Sequence, residues 1–265
     1  MKKVVGLIAS IFIFLSLSVG VKTGFAEFTA TNHWNSMTES GWNCTDRTPG
    51  GATIDTGANT PDPSSALKFT YPSGWHDAQE PAMCWFMYPN QASEFSFQYY
   101  FKYSSNYSWH GVDNKQTYFI IGSNKSTNFY ISVTGDLHIS LVTQTFSTDR
   151  FLPNTSYNPT IERNRWYKVT LHSVINTAGK LNGVAQVWLD DQLVINYSNV
   201  GYRSSSQSGL GFTEADISPV YGGSAGLVKP ATDYQWYDLM TVSTKDIGPI
   251  PVGKIPSPPI KLNIQ

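Results

Sequence analysis

The segment from Trp166 to Tyr197, WYKVTLHSVINTAGKLNGVAQVWLDDQLVINY, decides the fold class of this chain. Apolar and polar residues alternate along YKVTLHSVI, and a period of two predicts a half-buried strand. Asn176–Gly179 and Asn182-Gly183 then supply turn residues, because Gly and Asn tolerate positive φ. VAQVWL runs to Asp190-Asp191 and returns as QLVINY. The segment therefore predicts two or three antiparallel strands joined by tight turns.

Short strands separated by turn residues are also predicted on both sides of this segment. They are SALKFTYP, MCWFMYP, EFSFQYYFKYSSNYSW, TYFIIGS, NFYISVT, DLHISLVTQT and YQWYDLMTVST. In the longest, Phe95, Phe97, Tyr99, Phe101 and Tyr103 share one face. Residues 203–225, rich in Gly and Ser, interrupt this rhythm and are predicted to form an irregular, functional or mobile loop. Strands at such spacing, without a long helical period, are typical of an all-β sandwich.

The pattern W-Y-x-V-x-L, N-T-x-G, N-G-x-A-x-V-W-L-D-D-x-x-V within residues 166–194 resembles one carbohydrate-active class. It is similar to the C-terminal half of the concanavalin A-like jelly-roll polysaccharide lyases of the alginate, glucuronan and heparin lyase type. The resemblance covers about residues 65–244. It implies an all-β jelly-roll sandwich of two curved antiparallel sheets, with a concave groove where a uronate-containing polysaccharide is cleaved by β-elimination. Two alternatives remain open: a non-catalytic, lectin-like glycan-binding domain, and a structural or adhesive surface protein.

The resemblance implies three candidate catalytic residues: Lys115, His138 and Tyr130. In these lyases a Lys follows the long aromatic strand in a loop reading roughly G-G-K-L-P-G, and Lys115 falls at that place, followed here by Gln116-Thr117-Tyr118. A later Tyr-x-Tyr strand aligns with residues 136–141, where His138 and Ser140 replace the tyrosines. Tyr130 is the nearest remaining phenol. Elimination beside a carboxylate needs a cation to neutralise that carboxylate and a group that moves protons.

Six further residues are expected to contact the sugar: Trp109, His110, Gln116, Tyr118, Ser140 and Gln144. Alternation predicts that His138, Ser140 and Gln144 face the groove, while Leu137, Ile139 and Leu141 pack between the sheets. Structural roles stay open beside these functional ones. Lys115 could be a solvated loop lysine, His138 a hydrogen-bonded sheet residue, and His110 a packing residue of its loop.

Three motifs of other enzyme classes are absent from the sequence: H-E-x-x-H, the P-loop and G-x-G-x-x-G. The E-x-D-x-x-E strand of jelly-roll glycosidases is also absent, and Glu80, Glu94, Glu162 and Glu214 are scattered. Since retaining hydrolysis needs two carboxyls about 5 Å apart, the sequence disfavours a glycoside hydrolase. No cofactor or metal site is predicted, although a structural calcium ion at Asp136 or Asp238 stays open.

Composition limits the partners of the chain. The 265 residues carry a formal net charge of −1, with 14% charged and 14% aromatic residues. A near-neutral chain lacks the basic footprint of nucleic-acid binders, whereas a few local cations can bind an acidic polysaccharide. Composition thus excludes nucleic acid, and the resemblance implies a polysaccharide, possibly acidic, as the partner. The chain is expected to be a monomer.

The two ends of the sequence differ from the part between them. Residues 1–26 have the charged start, apolar core and small-x-small ending of a secretory signal, with an uncleaved anchor as the alternative. A secreted or extracytoplasmic chain, free of the membrane after cleavage, is therefore expected. Cys44 and Cys84 are its only cysteines, and a lone pair outside the cytoplasm is expected to form a disulfide. Residues 27–247 would form the jelly-roll domain, and the Pro-rich residues 248–265 an extended tail.

Overall fold

Two antiparallel sheets, packed face to face, contain all fifteen strands of the described residues. The computed structural model describes residues 28–248 except 63, 64, 124, 126, 145 and 147, so the predicted signal and nearly all of the Pro-rich tail lie outside it. The strands are β1 Thr29–Asn32, β2 Trp42–Asp46, β3 Ala52–Asp55, β4 Ala66–Tyr71, β5 Ala82–Ala92, β6 Glu94–Tyr103, β7 Asp113–Ile121, β8 Asn128–Thr134, β9 Ile139–Thr143, β10 Arg150–Phe151, β11 Tyr167–Val174, β12 Gly183–Leu189, β13 Gln192–Val200, β14 Phe212–Ile217 and β15 Asp233–Ser243. Two single 3-10 turns, Glu39–Gly41 and Ser205–Gln207, complete the regular structure of this part of the chain.

The strand order places distant parts of the chain side by side. The eight-stranded sheet has the order β13-β12-β11-β6-β15-β4-β3, with β1 pairing with β15, and the seven-stranded sheet has the order β10-β9-β8-β7-β14-β5-β2. Consecutive strands pair in the runs β11-β12-β13, β3-β4 and β7-β8-β9-β10, whereas every other pair joins strands that are not consecutive in sequence. This is the jelly-roll sandwich of two curved antiparallel sheets that the sequence predicts, and the prediction is confirmed.

The segment that predicts the fold forms β11, β12 and β13, which pair as consecutive antiparallel strands. Asp190 and Asp191 both have positive φ, 49° and 65°, as the tight turn between β12 and β13 requires. Val169 and Leu171 are fully buried between the sheets. Alternation and turn residues therefore locate this hairpin correctly.

An aromatic core holds the two sheets together. The aromatic face of β6 that alternation predicts is fully buried: Phe95, Phe97, Tyr99, Phe101 and Tyr103. Phe119 of β7, on the opposite sheet, lies 5.0 Å from Phe95 and 5.3 Å from Phe97 between ring centres. Aromatic pairs at this distance add to the hydrophobic gain from burial. Much of the aromatic content of the chain therefore serves the core.

The predicted disulfide is confirmed. Cys44 of β2 and Cys84 of β5 are bonded and directly opposite each other in the ladder, with 4.0 Å between their Cα atoms. The bond ties the edge strand β2 to the rest of the seven-stranded sheet.

Part of the segment 203–225 is regular, which corrects the prediction of an irregular loop. Phe212–Ile217 forms β14, which pairs with β7 on one side and β5 on the other, inside the seven-stranded sheet. A bulge between Phe212 and Glu214 shifts the register and breaks the period of two that would reveal a strand. The core of the sandwich therefore includes a strand that alternation does not reveal.

The first and last described strands are neighbours. β1 pairs with the end of β15, from Thr29 opposite Ser243 to Asn32 opposite Met240. The Phe28 backbone N–H also donates to Thr244 Oγ1 at 3.1 Å. Both ends of the described chain thus lie in the eight-stranded sheet. Between residues 28 and 248, no helix with the length and hydropathy of a membrane span was found.

Candidate functional site

The outer face of the seven-stranded sheet, which points away from the core, carries a cross-strand row of polar and aromatic side chains. Pairing registers place seven residues in this row, one per strand: Asn43, Trp85, Asp216, Tyr118, Tyr130, Val142 and Arg150. Neighbouring strands lie about 4.8 Å apart, so the row crosses about 29 Å of surface. Such a length suits an extended polymer better than a single small molecule.

Lys115 lies over this row. Its Nζ atom is 5.0 Å from the ring centre of Tyr130 and 5.9 Å from that of Tyr118, and the two rings are 5.0 Å apart. Contact with the negative ring faces stabilises the ammonium. Burial lowers the pKa of Lys115, and the nearby Asp113 carboxylate opposes this change. The lysine is therefore held against the face, which differs from the solvated loop position left open by the sequence.

Asp113 organises the groups around Lys115. Its carboxylate accepts two hydrogen bonds from Arg150, at 2.6 Å from Nη2 and 3.1 Å from Nη1, and one from the Ser132 hydroxyl. Tyr130 Oη lies 3.5 Å from the same carboxylate, and Arg150 Nη1 also donates to Ser140 Oγ at 3.0 Å. Two parallel bonds fix the guanidinium firmly. We call Lys115, Asp113 and Arg150 the cationic cluster.

Tyr130 is the phenol beside the cationic cluster. It is largely buried beneath Lys115, and burial followed by the negative charge of Asp113 raises its pKa to about 12. The phenol therefore keeps its proton at neutral pH. It can donate that proton to a leaving oxygen.

His138 lies at the edge of the same face, in the turn before β9. It lines a cavity of about 440 Å³ together with Arg150, Asp136 and Asn158. Its Nδ1 is 3.3 Å from the carbonyl oxygen of Pro159, to which it can donate a hydrogen bond. The side chain is partly exposed, and the surface cavity that it lines is also lined by Arg150 of the cationic cluster.

The predicted alternation around His138 holds for the strand and ends in the turn. Ile139 and Leu141 are buried in the core, whereas Ser140 lies on the outer face, where it contacts Arg150. Leu137 has φ 65° and belongs to the preceding turn, although it packs against the core. Gln144 follows the end of β9 and is exposed.

Two predicted sugar contacts are corrected by burial. His110 is fully buried: its Nδ1 accepts the backbone N–H of Val112 at 3.2 Å, and its Nε2 lies 3.5 Å from Asp77. A Cβ on Gly222, whose φ is 64°, would lie 2.0 Å from the imidazole. His110 is thus a packing residue of its loop, as the open alternative stated.

Gln116 is the second correction. It is fully buried between the sheets, where its Oε1 accepts from Tyr99 Oη at 2.6 Å and its Nε2 donates to Tyr103 Oη at 3.2 Å. These bonds satisfy the amide inside the aromatic core and keep it away from any ligand. Tyr118, by contrast, lies on the outer face, and its contact with a sugar stays a prediction.

Trp109 lies outside the cross-strand row. Its ring centre is 4.5 Å from that of Tyr103 and 5.1 Å from that of Tyr107, and the Arg163 guanidinium lies 5.6 Å from the indole centre. The side chain is partly buried by these contacts, which stabilise the loop after β6.

Sequence reasoning missed a carboxyl pair on β14. Glu214 and Asp216 both project to the outer face, and Lys125 Nζ lies 2.6 Å from Glu214 and 3.9 Å from Asp216. Burial, and then Glu214, raise the pKa of Asp216 well above the usual carboxyl range. We call these three residues the carboxyl cluster. A signal existed in E-x-D at positions 214–216, but it lay in a segment predicted to be irregular.

The described residues contain no group of three or more His, Cys, Asp or Glu side chains arranged to hold a metal ion. Of the two calcium candidates, Asp136 is exposed in the turn before β9. The Asp238 carboxylate accepts the backbone N–H groups of Asp62 at 2.9 Å and Leu239 at 2.7 Å.

The fold is shared with jelly-roll polysaccharide lyases. An alginate lyase of the marine PL-14 group from Aplysia kurodai superposes with a TM-score of 0.62 at 14% identity, covering 81% of this chain and 97% of that protein. A variant of alginate lyase Aly36B bound to an alginate tetrasaccharide gives 0.63 at 14%, covering 81% and 96%. The endo-β-1,4-glucuronan lyase of the fungus Trichoderma reesei gives 0.57 at 16%, covering 82% and 95%. The sequence matches no protein-family profile and no curated protein sequence.

Proposed function

We propose that this chain is an extracytoplasmic polysaccharide lyase that cleaves a uronate-containing polymer by β-elimination on the outer face of the seven-stranded sheet. The observation that carries the proposal is the position of Lys115 against Tyr130, beside the Arg150–Asp113 pair. A cation and a protonated phenol are thereby brought together on a face long enough for a polymer.

The reaction requires four coupled changes. A base removes the C5 proton, the C5–H electrons form the C4=C5 double bond, the C4–O4 bond breaks, and O4 receives a proton. Lys115 would neutralise the uronate carboxylate, since positive charge there stabilises the carbanion-like transition state. Tyr130 would donate the proton to O4, because its raised pKa keeps the phenol protonated. His138, at the rim beside Arg150, would accept the C5 proton.

The location outside the cytoplasm is supported by two observations. The Cys44–Cys84 disulfide is a bond that persists in oxidising compartments. The first 26 residues have the composition of a secretory signal. Extracellular and periplasmic polysaccharides are within reach of such a protein.

A glycan-binding protein without turnover is the second candidate. It is favoured by His138 and Ser140, which stand where the resembling lyases carry two tyrosines, and by the engagement of Arg150 with Asp113. Stacking on Trp85 and Tyr118 needs flat rings and no proton transfer. Turnover separates the two candidates.

The test is incubation with alginate, glucuronan and heparin while following the ultraviolet absorbance of the C4=C5 double bond. Wild-type protein should release unsaturated products from at least one polymer. Lys115→Ala should lower kcat/KM by about 100-fold or more, and Lys180→Ala, at an exposed turn on the other sheet, should have no effect. Unchanged far-ultraviolet circular dichroism would show that the variants fold. Absence of product from all three polymers would leave the binding protein as the surviving candidate.

A further inference from the structure

The outer face has two chemically different halves along the cross-strand row. The cationic cluster lies around Tyr130 and Arg150, and the carboxyl cluster lies around Asp216. Asp216 stands between Trp85 of β5 and Tyr118 of β7, and Tyr118 is the neighbour of Tyr130. A polymer lying along the row would therefore contact both clusters with nearby sugar units.

The carboxyl cluster contains a buried acceptor that the protein does not satisfy. The Asp216 side chain is 4% exposed, and its Oδ1 has no hydrogen-bond partner among the described residues. The same holds for Oδ1 of Asn128, on the same face of β8. An unpaired buried acceptor costs about 1–3 kcal/mol. The hydroxyl groups of a sugar would remove that cost.

Charge distinguishes which sugar fits beside Asp216. Two carboxyls, Glu214 and Asp216, share the single ammonium of Lys125, which is already 2.6 Å from Glu214. A uronate carboxylate placed there would meet carboxyl oxygens and find no free cation among the described neighbours. A neutral sugar adds no charge, presents hydroxyl donors to the carboxyls and can stack on the partly exposed Trp85 ring.

We propose that the chain prefers a mixed polysaccharide, in which a uronate contacts Lys115 and a neutral sugar lies over Trp85, hydrogen-bonded to Asp216 and Glu214. This inference rests on the proposed function for the uronate position and adds the identity of the neighbouring position. A homopolymer of uronates would bring a carboxylate to both clusters and would bind less well.

Protonation of the carboxyl pair strengthens the fit. Because burial and Glu214 raise the pKa of Asp216, its carboxyl retains a proton where an isolated carboxyl would have lost it. The Asp216 carboxyl can then donate as well as accept a hydrogen bond. Sugar hydroxyls, which are both donors and acceptors, match such a pair.

The experiment compares glucuronan, a homopolymer of glucuronate, with hyaluronan and gellan, in which glucuronate is separated by uncharged sugars. Turnover is followed by ultraviolet absorbance, and binding by the retardation of the protein in native gels that contain each polymer. The wild type should favour at least one mixed polymer over glucuronan by about tenfold, which corresponds to about 1.4 kcal/mol. Asp216→Asn and Glu214→Gln should each reduce this preference several-fold, whereas Glu162→Gln, an exposed carboxylate elsewhere, should leave it unchanged.

Two results overturn the inference: glucuronan bound as well as both mixed polymers, or a preference that neither variant alters. Failure of the lyase proposal looks different, because no polymer would then yield unsaturated product while the gels still report the preference. Circular dichroism of Asp216→Asn and Glu214→Gln identifies a variant that fails to fold. The variant that folds then shows whether the preference for a mixed polymer depends on the carboxyl pair.

Discussion

Lys115 Nζ lies 5.0 Å from the centre of the Tyr130 ring, on the adjacent strand. This contact depends on a register shift in β7 between Lys115 and Thr117. The shift turns Gln116 into the core and lets Lys115 and Tyr118, three residues apart, face the same side. One inserted residue thus brings the ammonium above two aromatic rings.

Tyr130→Phe should abolish turnover while preserving polymer binding. The substitution removes the proton that O4 needs and keeps the ring below Lys115. We expect kcat to fall by about 100-fold or more, as for the loss of a general acid, with little change in retardation on polymer-containing gels. Tyr234→Phe, on the eight-stranded sheet, is the control. Full activity of Tyr130→Phe would assign proton donation to another group.

Asp113→Asn should lower the pKa of Tyr130. The Asp113 charge is one of the causes that raise this pKa, so its removal makes the phenolate less unfavourable. An ultraviolet phenolate titration of Asp113→Asn, with Asp113→Asn/Tyr130→Phe as the blank, measures the change. An unchanged or higher pKa of Tyr130 would contradict the geometry described around Asp113.

The stability of the fold should fall as the pH rises, and Asp216 should be one cause of this fall. Its raised pKa means that the folded state keeps a proton that the unfolded chain loses above about pH 4, so stability falls between that pH and the folded pKa. One such group changes the free energy of unfolding by at most about 1.4 kcal/mol per pH unit. Urea unfolding at about pH 5 and about pH 8 should show this loss in the wild type and a smaller one in Asp216→Asn. An equal loss of stability in the wild type and in Asp216→Asn would show that Asp216 does not cause it.

Lys229 and Asp233 form a fully buried ion pair, with 2.9 Å between Nζ and Oδ2. Lys229 also donates to the Ser108 carbonyl at 2.8 Å and lies 3.5 Å from the Tyr107 ring centre. Lys229→Met should cost about 3–5 kcal/mol of stability, since it leaves a buried carboxylate without its partner. Lys229→Met/Asp233→Asn should recover part of that loss in urea unfolding. If the double variant loses as much stability as Lys229→Met and Asp233→Asn lose together, the two residues are not coupled.

Removal of the disulfide should destabilise the sandwich without changing its fold. Cys44 and Cys84 are 40 residues apart in sequence, and closing a loop of that size contributes about 4 kcal/mol in the chain-entropy model. Cys44→Ser/Cys84→Ser should therefore unfold at a lower urea midpoint. Reduction of the wild type should give the same midpoint, and a difference between the two would reveal an effect of the serines themselves.

The fold could be predicted because its strongest signals are local. Alternation in β6 and β11, with turn residues at Asp190-Asp191, depends only on neighbours in sequence. β14 could not be predicted in this way, because its bulge breaks the period and its partners are far away in sequence. Paired residues are 91–100 positions apart for β7 and 120–133 for β5. Because Glu214 and Asp216 of the carboxyl cluster lie on β14, that cluster was not predicted either.

The site could be predicted only in part, for a related reason. The resemblance indicated Lys115 and Tyr130, and the structure places both on one face. It could not show which polar side chains point inward, and Gln116 is satisfied by two core tyrosines while His110 is buried beside Asp77. Arg150 carries no motif, and its role becomes visible only when Asp113, 37 residues earlier, is placed against it.

The pairing of β1 with β15 determines how the protein can be attached to a support. Because Thr29 lies opposite Ser243 in the eight-stranded sheet, a tether fused before β1 or after β15 leaves from the same sheet. The cross-strand row lies on the other sheet, and its outer face points in the opposite direction. Immobilisation through either end should therefore present the row to a polymer gel or cell wall, and an engineered linker could close the two ends into a circular chain.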